Sequence, residues 1–254
     1  MATALITGAS AGLGLEFAWQ LATARHDLVL VARDEARLEE VAGQIRAAAG
    51  VRVQVLRADL SVADDVARVA ERLASPGGPD ERPVGLLVNN AGFATQQHFV
   101  DGDLDVELRA LDVMVRAVLV LSHAAAGQMT ARGRGAILNV ASVAALTAGG
   151  TYAAAKAWVR SFTEGLAVEL HGTGVTATVL CPGFTHTEFH DRAGIDKTVL
   201  PDVAWLDADR VVSVALADVR RGVVISTPSL RYRAASAALR VLPRSAVRAI
   251  GKYR

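Results

Sequence analysis

The chain has 254 residues, 52% of them hydrophobic and 21% charged. Disordered chains combine low hydrophobicity with high net charge, so that class is excluded, and a domain of this length buries roughly three quarters of its unfolded surface. The formal net charge is +1, and the single cysteine, Cys181, excludes an intramolecular disulfide and fits a reducing compartment.

The near-zero charge conceals an asymmetry. No acidic residue follows Asp218, whereas nine basic ones do: Arg220, Arg221, Arg231, Arg233, Arg240, Arg244, Arg248, Lys252 and Arg254. Without those nine, the first 218 residues hold 18 basic and 26 acidic side chains, a net of about −8. The opening MATALITGAS has no basic n-region and is broken by Gly8, so no secretory signal is expected and a cytoplasmic location is. The longest uncharged window, residues 135–155, holds Asn139, Ser142, Thr147, Gly149, Gly150 and Thr151; it reads as a buried strand plus a loop, not a membrane span.

In chain order, short β-branched or leucine-rich runs fall at residues 4–7, 28–31, 51–56, 84–89, 136–140, 175–180 and 223–226. Helical stretches rich in Ala, Leu, Glu and Arg separate most of them. That rhythm predicts βαβ units and a parallel sheet of about seven strands. Continuously apolar strands fit a sheet covered by helices on both faces. The first helix follows a glycine-rich turn and runs to about residue 24. Asp34 is the expected N-cap of a helix over 35–49, which Gly50 ends. Ser61 and Asp64 resemble a capping pair for 62–74. Residues 75–83, SPGGPDERP, form the clearest loop. Two long helices are expected over 104–131 and 152–170. With no repeat and no long linker, one unit is expected over 1–254.

The turn after the first strand reads Thr7-Gly8-Ala9-Ser10-Ala11-Gly12-Leu13-Gly14. Glycines are needed where backbone turns sharply and where it approaches a diphosphate closely. The following helix N-terminus offers N–H groups and partial positive charge to phosphates. A plain tight turn is the bland reading; its place between the first strand and first helix favours a nucleotide site. At the end of the second strand the chain reads Val31-Ala32-Arg33-Asp34. An acidic residue at the strand end would bind a ribose 2′-hydroxyl, and an arginine suits a 2′-phosphate. Ala32 occupies the acid's position, Asp34 is better explained as a helix cap, and Arg33 therefore favours NADP(H) over NAD(H). Arg33 as a solvated surface charge is the bland reading.

Tyr152 and Lys156 lie four residues apart at a helix start, so both share one face. A phenol with a pKa near 10 is a poor proton shuttle at neutral pH, and a nearby ammonium lowers it. Ser142, at a strand end, can offer its hydroxyl to a substrate oxygen. A Tyr and a Lys at this spacing also occur on ordinary helix surfaces.

Together, TGASAGLG over 7–14, Asp59 in ADLS, Asn89-Asn90-Ala91-Gly92, Ser142, Tyr152-x-x-x-Lys156 and Pro182-Gly183 with Thr187 resemble the short-chain dehydrogenase/reductase family in its compact form. The resemblance spans nearly the whole chain. It implies one Rossmann-type, doubly wound α/β/α fold with a seven-stranded parallel sheet. It also implies hydride transfer between a nicotinamide ring and a carbonyl or alcohol carbon. By that resemblance Tyr152 is the general acid or base, Lys156 holds the nicotinamide ribose and tunes Tyr152, and Ser142 hydrogen-bonds the reacting oxygen. The turn residues Gly8, Ser10, Ala11, Gly12, Leu13 and Gly14 would meet the cofactor. So would Asp59 and Leu60 at the adenine, then Asn89, Ala91, Gly92, Pro182, Gly183, Thr185 and Thr187. Residues 184–207 would form the loop over the substrate, and 229–254 a basic extension.

One position departs from the family pattern. Met114 stands where the family usually has an Asn that helps hold a proton-relaying water, and its sulfur accepts only weakly. Either backbone groups hold that water, or the protein binds cofactor and turns over poorly, as a sensor or interaction partner. His186, Glu188, His190 and Asp191 read as polar residues of the substrate loop rather than as metal ligands, and no metal is expected. Phe184, Phe189, Trp205 and Leu206 are expected to line an apolar pocket for a bulky or lipid-like substrate. Cys181 reads as packing. The tail from 230 to 254 suits a solvated basic face, a membrane surface, the substrate cleft or a partner subunit. No nucleic-acid motif accompanies its charge. The expected activity is NADPH-dependent reduction of a hydrophobic ketone, aldehyde or 3-oxoacyl group, or the reverse oxidation, by a homodimer or homotetramer.

Overall fold

The computed structural model describes residues 2–79, 81–189 and 201–251. The apolar runs form β1 (Thr3–Thr7), β2 (Asp27–Ala32), β3 (Val53–Arg57), β4 (Val84–Asn89), β5 (Gly135–Val140), β6 (Val175–Leu180) and β7 (Ile225–Ser226). They make one sheet in the order β3-β2-β1-β4-β5-β6-β7, with every pairing parallel. Successive strand residues point to opposite faces. Ala4 and Ile6 therefore join one core cluster while Leu5 joins the other. Leu28 and Leu30 divide from Val29 and Val31 in the same way. A strand buried on both faces has no polar side to show, which is why these runs do not alternate in sequence.

Helices α1 (Gly12–Thr23), α2 (Glu35–Ala49) and α7 (Ala208–Arg220) supply Phe17, Leu21, Leu38, Ile45 and Val212 to the first face. Helices α3 (Ala63–Ala74) and α5 (Ala117–Ala131) supply Val69, Leu73, Leu121 and Met129 to the second. Asp34 caps α2 as expected, accepting from the Arg37 N–H at 3.0 Å, and Gly50 closes it with φ of 62°. Only a residue at ease in that left-handed region ends a helix this way without strain.

Three local expectations are corrected. The helix expected over 104–131 is three pieces: α4 (Leu104–Leu111), a π-helical turn (Asp112–Arg116) and α5. The π turn places Met114, 1% exposed, against Ala110 and Ala155. Ser61 and Asp64 do not cap α3. Its N-cap is Val62, and the Ser61 hydroxyl instead donates to Asp59 at 2.7 Å. The third and seventh strands begin two residues later than expected, at Val53 and Ile225. Leu104–Ala131 is long and apolar enough to cross a membrane by composition alone. Its α5 part packs on α3 and on β4 and β5, which accounts for its apolar character.

Helix α6 (Gly150–Glu169) follows a short 3₁₀ turn (Val143–Leu146) after β5. The chain ends in α8 (Leu230–Val241) and α9 (Arg244–Gly251). Strand order reverses between β1 and β4. In sheets of this kind, ligands bind in the crevice at such a switch point, beyond the carboxyl ends of the strands.

Candidate active site

A cavity of about 1130 Å³ opens at that switch point. Its floor is the glycine-rich turn. Gly8 (φ 67°) and Gly12 (φ 55°) take the left-handed conformation there. Gly8, Ser10, Ala11, Gly12 and Leu13 line the cavity. Gly14 does not: it is where α1 meets the turn, and a Cβ on it would lie 2.1 Å from the Gly8 carbonyl oxygen. Ala11 precedes α1 without a side-chain cap, so the first helical N–H groups are left to other acceptors. One of them already holds an anion. The Glu188 carboxylate accepts from the Gly12 N–H at 3.0 Å and pairs with Arg37 at 3.4 Å. A turn that receives a carboxylate and leaves no room for a Cβ fits the phosphates of a dinucleotide.

At one end of the cavity lie Arg33, Asp34 and Arg37, then Asp59 and Leu60. Asp59 is held in place twice. Its N–H donates to the Asp65 carboxylate at 2.6 Å, and its own carboxylate accepts from the Ser61 N–H at 3.0 Å. Asp65 is lowered from its ordinary value chiefly by that backbone N–H, with Arg68 adding to it.

The segment after β4 brings Ala91 and Gly92 to the cavity, together with Asn90. Asn89, expected to line the cofactor, does not. It is 3% exposed and donates to Ser122 and Asn139 inside the fold, at 3.2 and 2.9 Å. The strand's alternation turns the first Asn of the pair inward and leaves the second at the cavity. Asn90 donates through its side chain to the Thr7 carbonyl at 3.0 Å, and the Thr7 hydroxyl accepts from the N–H groups of Asn90 and Ala91. These bonds lock the ends of β1 and β4 together under the turn.

At the other end, Ser142, Tyr152 and Lys156 converge from the end of β5 and the start of α6. The Lys156 Nζ lies 5.7 Å from the Tyr152 ring centroid and donates to the Val140 carbonyl at 2.8 Å. Burial dominates the electrostatics here. It pushes the Tyr152 phenol up from 10 to about 12, with a hydrogen bond to Ser142 working the other way. It pulls the Lys156 ammonium down from 10.5 to about 8. The lowered phenol expected from the Tyr-x-x-x-Lys spacing is thus not what this chain by itself shows. At neutral pH the site presents a neutral phenol with a proton to give, beside a cation. Met114 lies beneath, with its Sδ 3.5 Å from where a Gly92 Cβ would stand.

Beyond β6, Pro182, Gly183, Thr185 and Thr187 reach the cavity, with Phe184 and Phe189 on its apolar side. Phe93 and Val106 line it as well. Trp205 and Leu206, also expected to line it, do not. Trp205 stacks on His186, with centroids 5.0 Å apart, and Leu206 packs toward the core. His190 and Asp191 lie outside the described residues. Among the described residues, no group of three or more His, Cys, Asp or Glu side chains could hold a metal ion.

The sequence reading missed Asn90, Arg37 and Glu107. The first had a signal, the paired Asn motif. Arg37 had one in retrospect, one helical turn from Arg33. Glu107 had none. It is a buried carboxylate that accepts from the Thr151 hydroxyl at 2.6 Å and from Gln97 at 3.0 Å, anchoring the residue before Tyr152.

A family model described as short chain dehydrogenase matches residues 2–197. A short chain dehydrogenase of Pseudocercospora fijiensis is 35% identical over 191 residues, covering 73% of this chain and 60% of that protein. Among solved structures, a short-chain dehydrogenase from Sphingobium yanoikuyae in complex with NADPH is 36% identical, covers 94% of each chain and superposes with a TM-score of 0.84. A bulky-bulky ketone specific alcohol dehydrogenase from Comamonas testosteroni is 29% identical, covers 96% of each chain and gives 0.81. With the switch-point cavity, the glycine turn and the Ser142–Tyr152–Lys156 cluster in place, the chain belongs to the short-chain dehydrogenase/reductase family of oxidoreductases.

Proposed function

We propose that the protein is an NADP(H)-dependent oxidoreductase that reduces the carbonyl of a hydrophobic, bulky substrate or oxidises the matching alcohol. The observation that carries this is one cavity joining two arginines, Arg33 and Arg37, to a buried neutral phenol beside an ammonium. A reduced nicotinamide dinucleotide, when bound, supplies the hydride. The residues do the rest. Arg33 and Arg37 offer positive charge to a 2′-phosphate, and the nearby Asp34 carboxylate is engaged as the cap of α2. The Ser142 hydroxyl and the Tyr152 phenol both reach for the substrate's carbonyl oxygen. Tyr152 gives that oxygen its proton as negative charge develops, and Lys156 stabilises the phenolate left behind. In the oxidation direction the same phenolate takes the proton back. Phe93, Phe184 and Phe189 keep water from the reacting carbon. The solved short-chain dehydrogenase in complex with NADPH and the bulky-bulky ketone specific alcohol dehydrogenase support the two halves of this reading.

Exposed Leu104, Leu108 and Leu111 along α4 support self-association through that helix. Calorimetric titration with NADPH and with NADH tests the cofactor reading. Tighter NADPH binding, lost in Arg33→Ala, is expected; preference for NADH would overturn it. A reading as a cofactor-binding protein with poor turnover is favoured only by Met114, and a substrate screen with NADPH decides against it if any bulky ketone is reduced.

A further inference from the structure

The basic C-terminal extension packs against a wall of the site. The Tyr232 ring of α8 lies on Gly183 so closely that a Cβ there would stand 2.1 Å from its Cε2 and Cζ atoms. Its hydroxyl makes two bonds. It accepts from the Phe184 N–H at 3.2 Å and donates to the Ala204 carbonyl at 2.7 Å. Phe184 belongs to the stretch leaving β6, and Ala204 to the stretch returning toward α7. One oxygen therefore joins both stems of segment 184–207.

The stems are also zipped directly. His186 donates its N–H to the Leu206 carbonyl, and Leu206 donates to the Phe184 carbonyl, each at 2.9 Å. Trp205, 6% exposed, sits between them, stacked on His186 and tilted against Phe184 at 5.6 Å. The neighbouring Arg231 donates to the Val203 carbonyl. The zipper fixes the stems to each other, and Tyr232 ties the pair to α8. Phe184 and Thr185 line the cavity, so the placement of this stem sets one wall of it.

We infer that Tyr232 is a positioning residue: by clamping both stems of segment 184–207, it fixes the apolar wall against which a bulky substrate is held. The inference rests on the reading of that cavity as the substrate site, but the clamp itself can be measured without substrate.

In the full-length protein, Tyr232→Phe keeps the ring on Gly183 and deletes both hydroxyl bonds. Amide hydrogen exchange in peptides covering 183–189 and 201–206 is expected to quicken about tenfold, with β1, β4 and β5 unchanged, because the hydroxyl's bonds to both stems are lost. KM for a bulky ketone is expected to rise about tenfold while kcat and NADPH affinity hold, since loosening a wall weakens substrate binding without touching the proton donor. Gly183→Ala, which displaces the ring, should reproduce the faster exchange in the two stems. Exchange that is unchanged in the two stems, or raised equally across the sheet, would overturn the clamp. A KM that does not move while the stems loosen would overturn its role in substrate selection. A wild-type protein that binds no dinucleotide would instead defeat the proposed function, and the exchange result would still stand on its own.

Discussion

The Lys156 ammonium donates to the Val140 carbonyl from a position only 4% exposed, one strand-end away from the phenol it serves. Its burial has a thermodynamic signature. The folded pKa, about 8, lies below the ordinary 10.5. The folded state then binds fewer protons than the unfolded state between those values, so stability rises with pH across that window. The cost of burying the charge is fully present below about 8. Lys156→Met removes the titration. The wild-type Tm is therefore expected to gain on that of Lys156→Met between about pH 7 and pH 9.5, and parallel melting curves at the two pH values check it. Above 10 the sign reverses for Tyr152, whose raised pKa of about 12 makes the folded state the better proton binder.

Catalysis should follow the same two groups. Carbonyl reduction needs the neutral phenol and the charged lysine together. Its kcat is expected to hold up to about pH 8 and to fall above it as Lys156 loses its proton. Tyr152→Phe removes the proton donor and should lower kcat by at least about a hundredfold while NADPH binding persists. Steady-state kinetics beside calorimetry separates the two effects.

Glu188 stands on the Gly12 N–H that a cofactor phosphate would use, and Arg37 holds it there. Both side chains are more than two-fifths exposed, so the pair is worth little. Glu188→Ala should tighten NADPH binding by no more than about fivefold, and the gain should shrink in high salt. Titrations at low and high ionic strength measure both.

Gly14 and Gly43 make a matched pair. A Cβ on Gly14 meets the Gly8 carbonyl oxygen at 2.1 Å and the Asn90 amide at 2.6 Å, whereas one on Gly43 meets nothing within 4 Å. Gly14→Ala is expected to cost about 1–3 kcal/mol and to abolish dinucleotide binding, because backbone must move. Gly43→Ala, inside α2, should stabilise by about 0.5–1 kcal/mol. Denaturant unfolding of both variants checks the opposite signs.

Met114 lies in an apolar nest with Ala110, Ala155 and Phe93. Met114→Asn buries an amide among these groups and should lower the Tm. Because Lys156 already has an acceptor at Val140, kcat is expected to change by less than about tenfold. A larger rise would mean that the native site is impaired.

Local pattern determined much of this by itself. The glycine turn, the Asp34 cap, the Tyr152–Lys156 spacing and the strand runs each follow from short-range rules of backbone freedom and helical period, so they were legible without coordinates. The failures were of another kind. Which of Asn89 and Asn90 lines the cavity depends on the last residue of a strand's alternation, and one position decides it. The π turn at Asp112–Arg116 lies in a stretch, 104–126, that holds no Gly or Pro to mark a break. Propensity sees no break there, because packing imposes it. Glu188 meets Gly12 across 176 residues, and Phe184 meets Tyr232 across 48. No periodicity in the sequence encodes such contacts. They exist because the parallel sheet brings the carboxyl ends of β1 and β6 to one edge and the C-terminal helix folds back over it, and only the assembled tertiary structure decides that.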